Sequence, residues 1–265
     1  MKYIPDWLIY FAILIAMIWS ANRGSSNIAP PIATPELGPL LPSESPRDGQ
    51  VIVSVDKVKS SSIGTAFAIN DTGTWMTARH VVDGCTKIGL KIGAAKTLKV
   101  EAKISKEADI AILRSDWART PLPSDLHSQR QIGEPGYFFG FPQGRPGEAI
   151  GKLLGRNRMV VRGRYRSNEA ILAWSEIGRS NGIFGSLGGL SGGPALDRDG
   201  EIIGVVTAEN PRRGRIYTVA PTHLRQYIKA QNTVPEPLGL NAYASQADKL
   251  RRDRRVVQVI CLVKS

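Results

Sequence analysis

Cysteine is scarce, with two in 265 residues. Two thiols alone cannot build a zinc ribbon, an iron–sulfur cluster or a disulfide-dense scaffold. Histidine is nearly as rare: His80, His127 and His223 are the chain's only imidazoles. Any chemistry that needs an imidazole base must use one of these three. Aromatic residues make up 7% and are not interleaved with the basic ones, so base stacking on nucleic acid is not expected. Negative charge is in deficit, with 23 Asp and Glu against 35 Lys and Arg, a formal net charge of +12. Such an excess points to anionic partners without specifying a fold. No internal repeat of fixed period is visible. Helical periodicity is absent until Thr222–Ala230 and Ala242–Arg255.

Long apolar runs are confined to one place. Trp7 to Trp19 is uncharged and apolar, with Trp at both ends. It is shorter than the ~20 residues that a spanning helix needs, but Ser20 and Ala21 extend it. A secretory signal would need small residues before a cut. Trp19 and Ile18 stand where that site would want them, so an uncleaved membrane anchor over 1–21 is the favoured reading. Residues 22–50 hold six of the 17 Pro and lack hydrophobic periodicity, as a linker does. From residue 51 short β-branched runs alternate with Gly, Pro, Asn and Asp. Val51–Val55, Thr65–Ile69, Thr74–Thr77, Ile110–Leu113, Gly136–Gly140, Met159–Arg166, Ile202–Thr207 and Arg215–Val219 read as strands, an all-β rhythm. The expected organisation is an anchor (1–21), a Pro-rich linker (22–50), a β domain (51–232) and a basic C-terminal tail (233–265) with a short helix and strand.

The strongest local signal is Gly188-Gly189-Leu190-Ser191-Gly192-Gly193-Pro194. Glycines let the chain turn tightly and aim backbone N–H groups at a ligand. A Ser in such a loop can be a nucleophile if a base reaches it. The glycines do not form a phosphate loop, because no Gly-Lys-Ser/Thr follows. Gly189 to Gly193 also fits G-x-S-x-G, yet Gly192-Gly193-Pro194 resists the helix that a nucleophile elbow leads into.

Gly64–Ile69, Thr77-Ala78-Arg79-His80, Ala108–Leu113 and Gly189–Pro194 together resemble the trypsin-like serine peptidases. The likeness is to the bacterial branch with the HtrA-type proteases and covers roughly residues 50–230. Gly133–Gly144 and Tyr217–Pro221 resemble further segments of that branch. The motifs occur in the family's order, His then Asp then Ser. The resemblance implies two antiparallel β-barrels and a membrane-tethered serine endopeptidase facing the periplasm. It implies no cofactor and no metal. Ser191 would attack the scissile carbonyl, His80 would carry its proton and Asp109 would orient His80. Asp83 and Asp116 also lie between His80 and Ser191, so the choice of acid rests on the motif. The N–H groups of Gly189 and Ser191 would form the oxyanion hole. Gly185, Thr207 and Ala208 would line the substrate pocket. No acid stands at Gly185, so a small or apolar preference is expected. Leu190 replaces an Asp or Asn of relatives, so activation by an ion pair to a new N-terminus is not expected. A second reading from another class is a catalytically weak binding or scaffold module at the membrane.

Cys85 and Cys261 would pair in an oxidising compartment, or remain two buried thiols. The positive charge gathers in residues 145–166 (+6), 211–229 (+5) and 245–265 (+4). Arg156, Arg158, Arg162, Arg164 and Arg166 are separated by even numbers of residues, as on one strand face. A solvated face is one reading, and contact with anionic lipid is the other.

Overall fold

The computed structural model of the protein describes residues 37–180, 182–229 and 242–264. The expected anchor over 1–21 lies outside them. Among the described residues no helix is long and apolar enough to cross a membrane.

The β rhythm becomes two seven-stranded sheets. Strands β2 (Ser62–Ala68), β3 (Thr74–Thr77), β4 (Lys87–Lys91), β5 (Thr97–Lys99), β6 (Glu101–Ile104), β7 (Ala111–Arg114) and β14 (Val256–Leu262) form the first, in the order β5-β4-β14-β2-β3-β7-β6. Only Val100 separates β5 from β6. The chain therefore pairs with β4 and then with β7, which brings the two ends of the order together. Strands β1 (Gln50–Val55), β8 (Pro135–Gly140), β9 (Gly147–Gly163), β10 (Ser167–Arg179), β11 (Pro194–Leu196), β12 (Ile202–Asn210) and β13 (Arg215–Val219) form the second. Pairing of β8 with the first part of β9 closes that sheet on itself.

Strand alternation sorts the core. In β8, Phe138 points inside the second sheet, against Trp174, while Tyr137 and Phe139 join the apolar layer between the sheets. In β3, Trp75 fills the first sheet and Met76 faces that same layer. Phe67, Ile110, Val205 and Leu224 complete it.

Three expectations change. The sheets are not wholly antiparallel, because β1 runs parallel to β9, Gln50 opposite Arg158. Residues 37–50, read as linker, lie on the domain. Leu41 is buried, and the backbone of Gly38 and Leu41 bonds to Ile132 and Arg130. The tail does more than pack on the domain: β14 enters the first sheet between β4 and β2. Its Val257 and Val259 are core residues there, which gives the apolar run its physical reason.

The helices are short. α1 (Arg79–Val82) is one turn that buries Val81 and Val82. Of Thr222–Ala230 only α2 (Pro221–Leu224) is helical among the described residues, opened by Pro221 at its first position. α3 (Tyr243–Arg252) buries Ala247 and Leu250 against the layer between the sheets.

Candidate active site

β3 ends at Thr77, and α1 presents His80 within a turn. The turn into β7 presents Asp109, whose neighbours Ala108 and Ile110 are fully buried. His80 Nδ1 lies 2.7 Å from Asp109 Oδ2, and the His80 backbone N–H donates to Oδ1 at 2.8 Å. The Tyr165 hydroxyl donates to Oδ1 at 3.2 Å, and the Thr207 hydroxyl donates to Oδ2. Four donors thus meet the two oxygens of a carboxylate that is 1% exposed. Burial opposes its charge. The adjacent His80 and the bonds from His80 and Thr207 outweigh burial and hold the carboxyl below its ordinary range. The other two acids weighed at the sequence level lie elsewhere. Asp83 pairs with Arg164 at 3.1 Å, and Asp116 lines a surface hollow with Asn70 and Arg114.

Ser191 sits in the turn before β11. Its carbonyl accepts the Thr65 N–H at 2.9 Å. Gly192 has φ +84°, and a Cβ there would lie 2.2 Å from Thr77 Oγ1 and 2.8 Å from the Ala78 N. Only glycine lets the turn press this closely on the residues that lead into His80. Ser191 and His80 share no hydrogen bond in this structure.

The turn leaves two N–H groups without an acceptor among the described residues. Those of Leu187, Gly188, Leu190, Gly192 and Gly193 all donate within the protein. Among the described residues those of Gly189 and Ser191 donate to nothing. The turn is braced at several points. The Gly189 carbonyl accepts the Thr65 hydroxyl at 2.8 Å. The Gly188 carbonyl accepts the Gln143 N–H at 2.5 Å. Gln143 Nε2 donates to the carbonyls of Phe184 and Ser186. The Glu209 carboxylate accepts the Leu187 N–H and the Ser186 hydroxyl. Leu190 is 1% exposed and packs with Ile183, Leu187 and Phe138. Apolar burial therefore stands where other members of the resembling family place a charged or amide side chain.

Two of the three residues expected to line the substrate pocket, Thr207 and Ala208, share one cavity. A cavity of about 320 Å³ lies beside His80, lined by Thr207, Ala208, Asp109, Tyr165, Lys59 and Met159 among others. Gly185 is not on its wall. Thr207 is buried and serves Asp109 as a donor. Lys59 donates to the carbonyls of His80 and Val81 at the end of α1, and burial with nearby Arg164 lowers its pKa.

Sequence reasoning missed Tyr165, Glu169, Thr65 and Gln143. Thr65 and Gln143 stand inside the quoted segments Gly64–Ile69 and Gly133–Gly144, but their bonds to the Ser191 turn, like those of Tyr165 and Glu169 to Asp109, form only across the fold. His127 is exposed. His223 is half-buried, its Nε2 accepts the Ala170 N–H at 3.3 Å, and burial lowers its pKa. Asp125, Asp197 and Glu201 bring carboxylates within 4.8 Å of one another. Arg130 ion-pairs with Asp125 and Asp197 and already supplies the cation there. Cys85 and Cys261 are bonded to each other, 176 residues apart.

Comparison with known proteins gives three findings. A family model described as trypsin-like peptidase domain matches residues 64–205. A putative serine protease HhoA of Synechocystis is 26% identical over 204 residues, covering 72% of this chain and 50% of that protein. A probable periplasmic serine endoprotease DegP-like of Halomonas elongata is 27% identical over 201 residues, covering 74% and 36%. The chain thus spans half or less of these curated relatives. The active form of the Rv3671c protease of M. tuberculosis superposes with a TM-score of 0.51 at 16% identity, over 74% of this chain and 95% of that one, a likeness of fold.

Proposed function

The chain belongs to the trypsin-like peptidase domain family, and we propose that it is a serine endopeptidase with His80, Asp109 and Ser191 as its triad. The observation that carries this is the four-donor cradle that fixes Asp109 against His80 Nδ1. A Ser hydroxyl barely ionises at neutral pH, so it needs a base held in one tautomer. Asp109, accepting at Nδ1, leaves Nε2 as the basic nitrogen. His80 would take the Ser191 proton there and return it to the leaving amine. The undonated N–H groups of Gly189 and Ser191 would receive the oxyanion. Protein or peptide is the substrate. Gly185 and Ala208 remain candidates for contact with its side chains.

The domain works outside the cytoplasm, tethered by residues 1–21. The apolar run supports the tether, and the Cys85–Cys261 bond fits an oxidising compartment. The basic stretches would then face anionic headgroups. The scaffold reading draws on one observation, the missing Ser191–His80 hydrogen bond. Apo catalytic bonds are often long, so that geometry does not exclude catalysis.

A fluorophosphonate probe on the full chain in isolated membranes separates these readings. The expected result is a labelled band in the membrane pellet that vanishes in Ser191→Ala. No labelling of folded wild type rejects the peptidase, and a labelled band in the soluble fraction rejects the tether.

A further inference from the structure

Asp109 comes from the first sheet, but much of what holds it comes from the second. The connection from β9 to β10 is short; Tyr165 lies in it, and Glu169 stands near the start of β10. Tyr165 is 8% exposed and Glu169 is fully buried. The Tyr165 hydroxyl donates to Asp109 Oδ1 at 3.2 Å. The Glu169 carboxylate accepts the Asp109 backbone N–H, at 2.8 Å and 3.0 Å to its two oxygens. One residue therefore holds the side chain of Asp109 and the other holds its main chain.

The hairpin is itself locked. The Arg79 guanidinium stacks 3.7 Å from the Tyr165 ring centroid and donates to the Ser105 carbonyl at 3.1 Å. Arg79 precedes His80 in α1, and Ser105 opens the turn that carries Asp109. Ser105 Oγ accepts the N–H groups of Glu107 and Ala108 in that turn. Arg79 thus clamps the hairpin ring to the elements that carry both His80 and Asp109.

A buried carboxylate without a cation in contact is costly unless it is hydrogen-bonded or neutralised. Ser167 Oγ donates to Glu169 at 3.4 Å. Burial and the adjacent Asp109 charge push Glu169 up to about 8, so near neutral pH it holds a proton. It then accepts the Asp109 N–H without placing a second full charge beside the first. A residue that only filled space would need no carboxylate here.

We infer that Tyr165 and Glu169 are positioning residues for Asp109, by which the second sheet sets the orientation of His80. The inference rests on the triad reading above, and its test includes a readout that does not need turnover. The His80 Nδ1 proton gives a downfield NMR resonance when it is held by a carboxylate, whether or not Ser191 reacts. Tyr165→Phe, Glu169→Ala and Glu169→Gln are compared with wild type by this resonance and by the rate of fluorophosphonate labelling.

Tyr165→Phe and Glu169→Ala are expected to shift or broaden the resonance and to slow labelling about tenfold, the scale of one hydrogen bond to a charged group. Glu169→Gln keeps an acceptor oxygen and is expected to stay within about threefold of wild type. If Glu169→Ala does not fold, Tyr165→Phe and Glu169→Gln carry the test. An unmoved His80 resonance in Tyr165→Phe overturns the inference. A Glu169→Gln loss as large as that of Glu169→Ala overturns the Glu169 part. Absent labelling with a shifted resonance defeats the peptidase reading and leaves the positioning role supported.

Discussion

At the scale of the residue, the motif residues and their supports differ in how they can be read. His80, Asp109 and Ser191 each stand in a short pattern, and the structure brings His80 and Asp109 into contact. Tyr165, Glu169 and Thr207 lie 56, 60 and 98 residues from Asp109 and have no such pattern. Only folding puts them there. Thr207 shows the difference: it lines the cavity beside His80 and also donates to Asp109, a role that no motif announces. The buried acid has a consequence for stability. Burial, then the Asp109 charge, raise Glu169 from an ordinary 4.5 to about 8 in the folded state. Between those values the folded protein binds the proton more tightly than the unfolded chain does. Stability from this group is therefore complete below about pH 4.5 and is lost as pH rises toward about 8. Urea midpoints measured from about pH 5 to 8 are expected to fall more steeply in wild type than in Glu169→Gln. Parallel profiles would show that Glu169 is charged in both states.

At the scale of the element, the decisive piece is the turn from Ser186 to Gly193. Its glycines are legible in the sequence, and the N–H groups of Gly189 and Ser191, expected to receive an oxyanion, donate to nothing among the described residues. How the turn is held was not legible. Leu190 has the wrong chemistry for an ion pair, and the sequence names no substitute. In the fold it is an apolar plug beside Ile183, Leu187 and Phe138, with the Thr65 hydroxyl and the Gln143 N–H donating to the carbonyls of Gly189 and Gly188 just before it. Leu190→Ala is expected to lower stability by ~2–5 kcal/mol, the usual range for a buried Leu. It should also slow probe labelling of the remaining folded protein. A labelling rate equal to wild type would mean that the polar braces hold the turn alone. The β9–β10 hairpin gives a second contrast. Met159–Arg166 was read as one strand, but β9 begins at Gly147 and ends at Gly163. Arg164 lies past that end and turns to Asp83, while Arg156 pairs with Glu44. The basic row is thus partly engaged within the protein. Arg162 and Arg166 remain exposed.

At the scale of the whole molecule, the first and last strands are built into different sheets. β1 adds to the second sheet along β9, and β14 completes the first between β2 and β4. The Cys85–Cys261 bond joins β14 to the segment just after α1, the helix that carries His80. It closes a long loop, and loss of such a bond in a secreted domain typically costs ~2–5 kcal/mol. A Cys85→Ser, Cys261→Ser double variant is expected to unfold at lower denaturant, and reductant should lower the wild-type midpoint toward it. A midpoint that reductant does not move would mean that the bond adds nothing to the folded state. The sequence by itself determined the all-β class, the motif order and the candidate residues for the chemistry. Those follow from local patterns of period two, from glycine-rich turns and from short motifs. The tertiary structure alone decided that the tail is a core strand, that β1 runs parallel to β9, and that Tyr165 and Glu169 hold Asp109. Strand partners and buried hydrogen bonds link residues far apart in the chain, and no local pattern records which distant group will arrive.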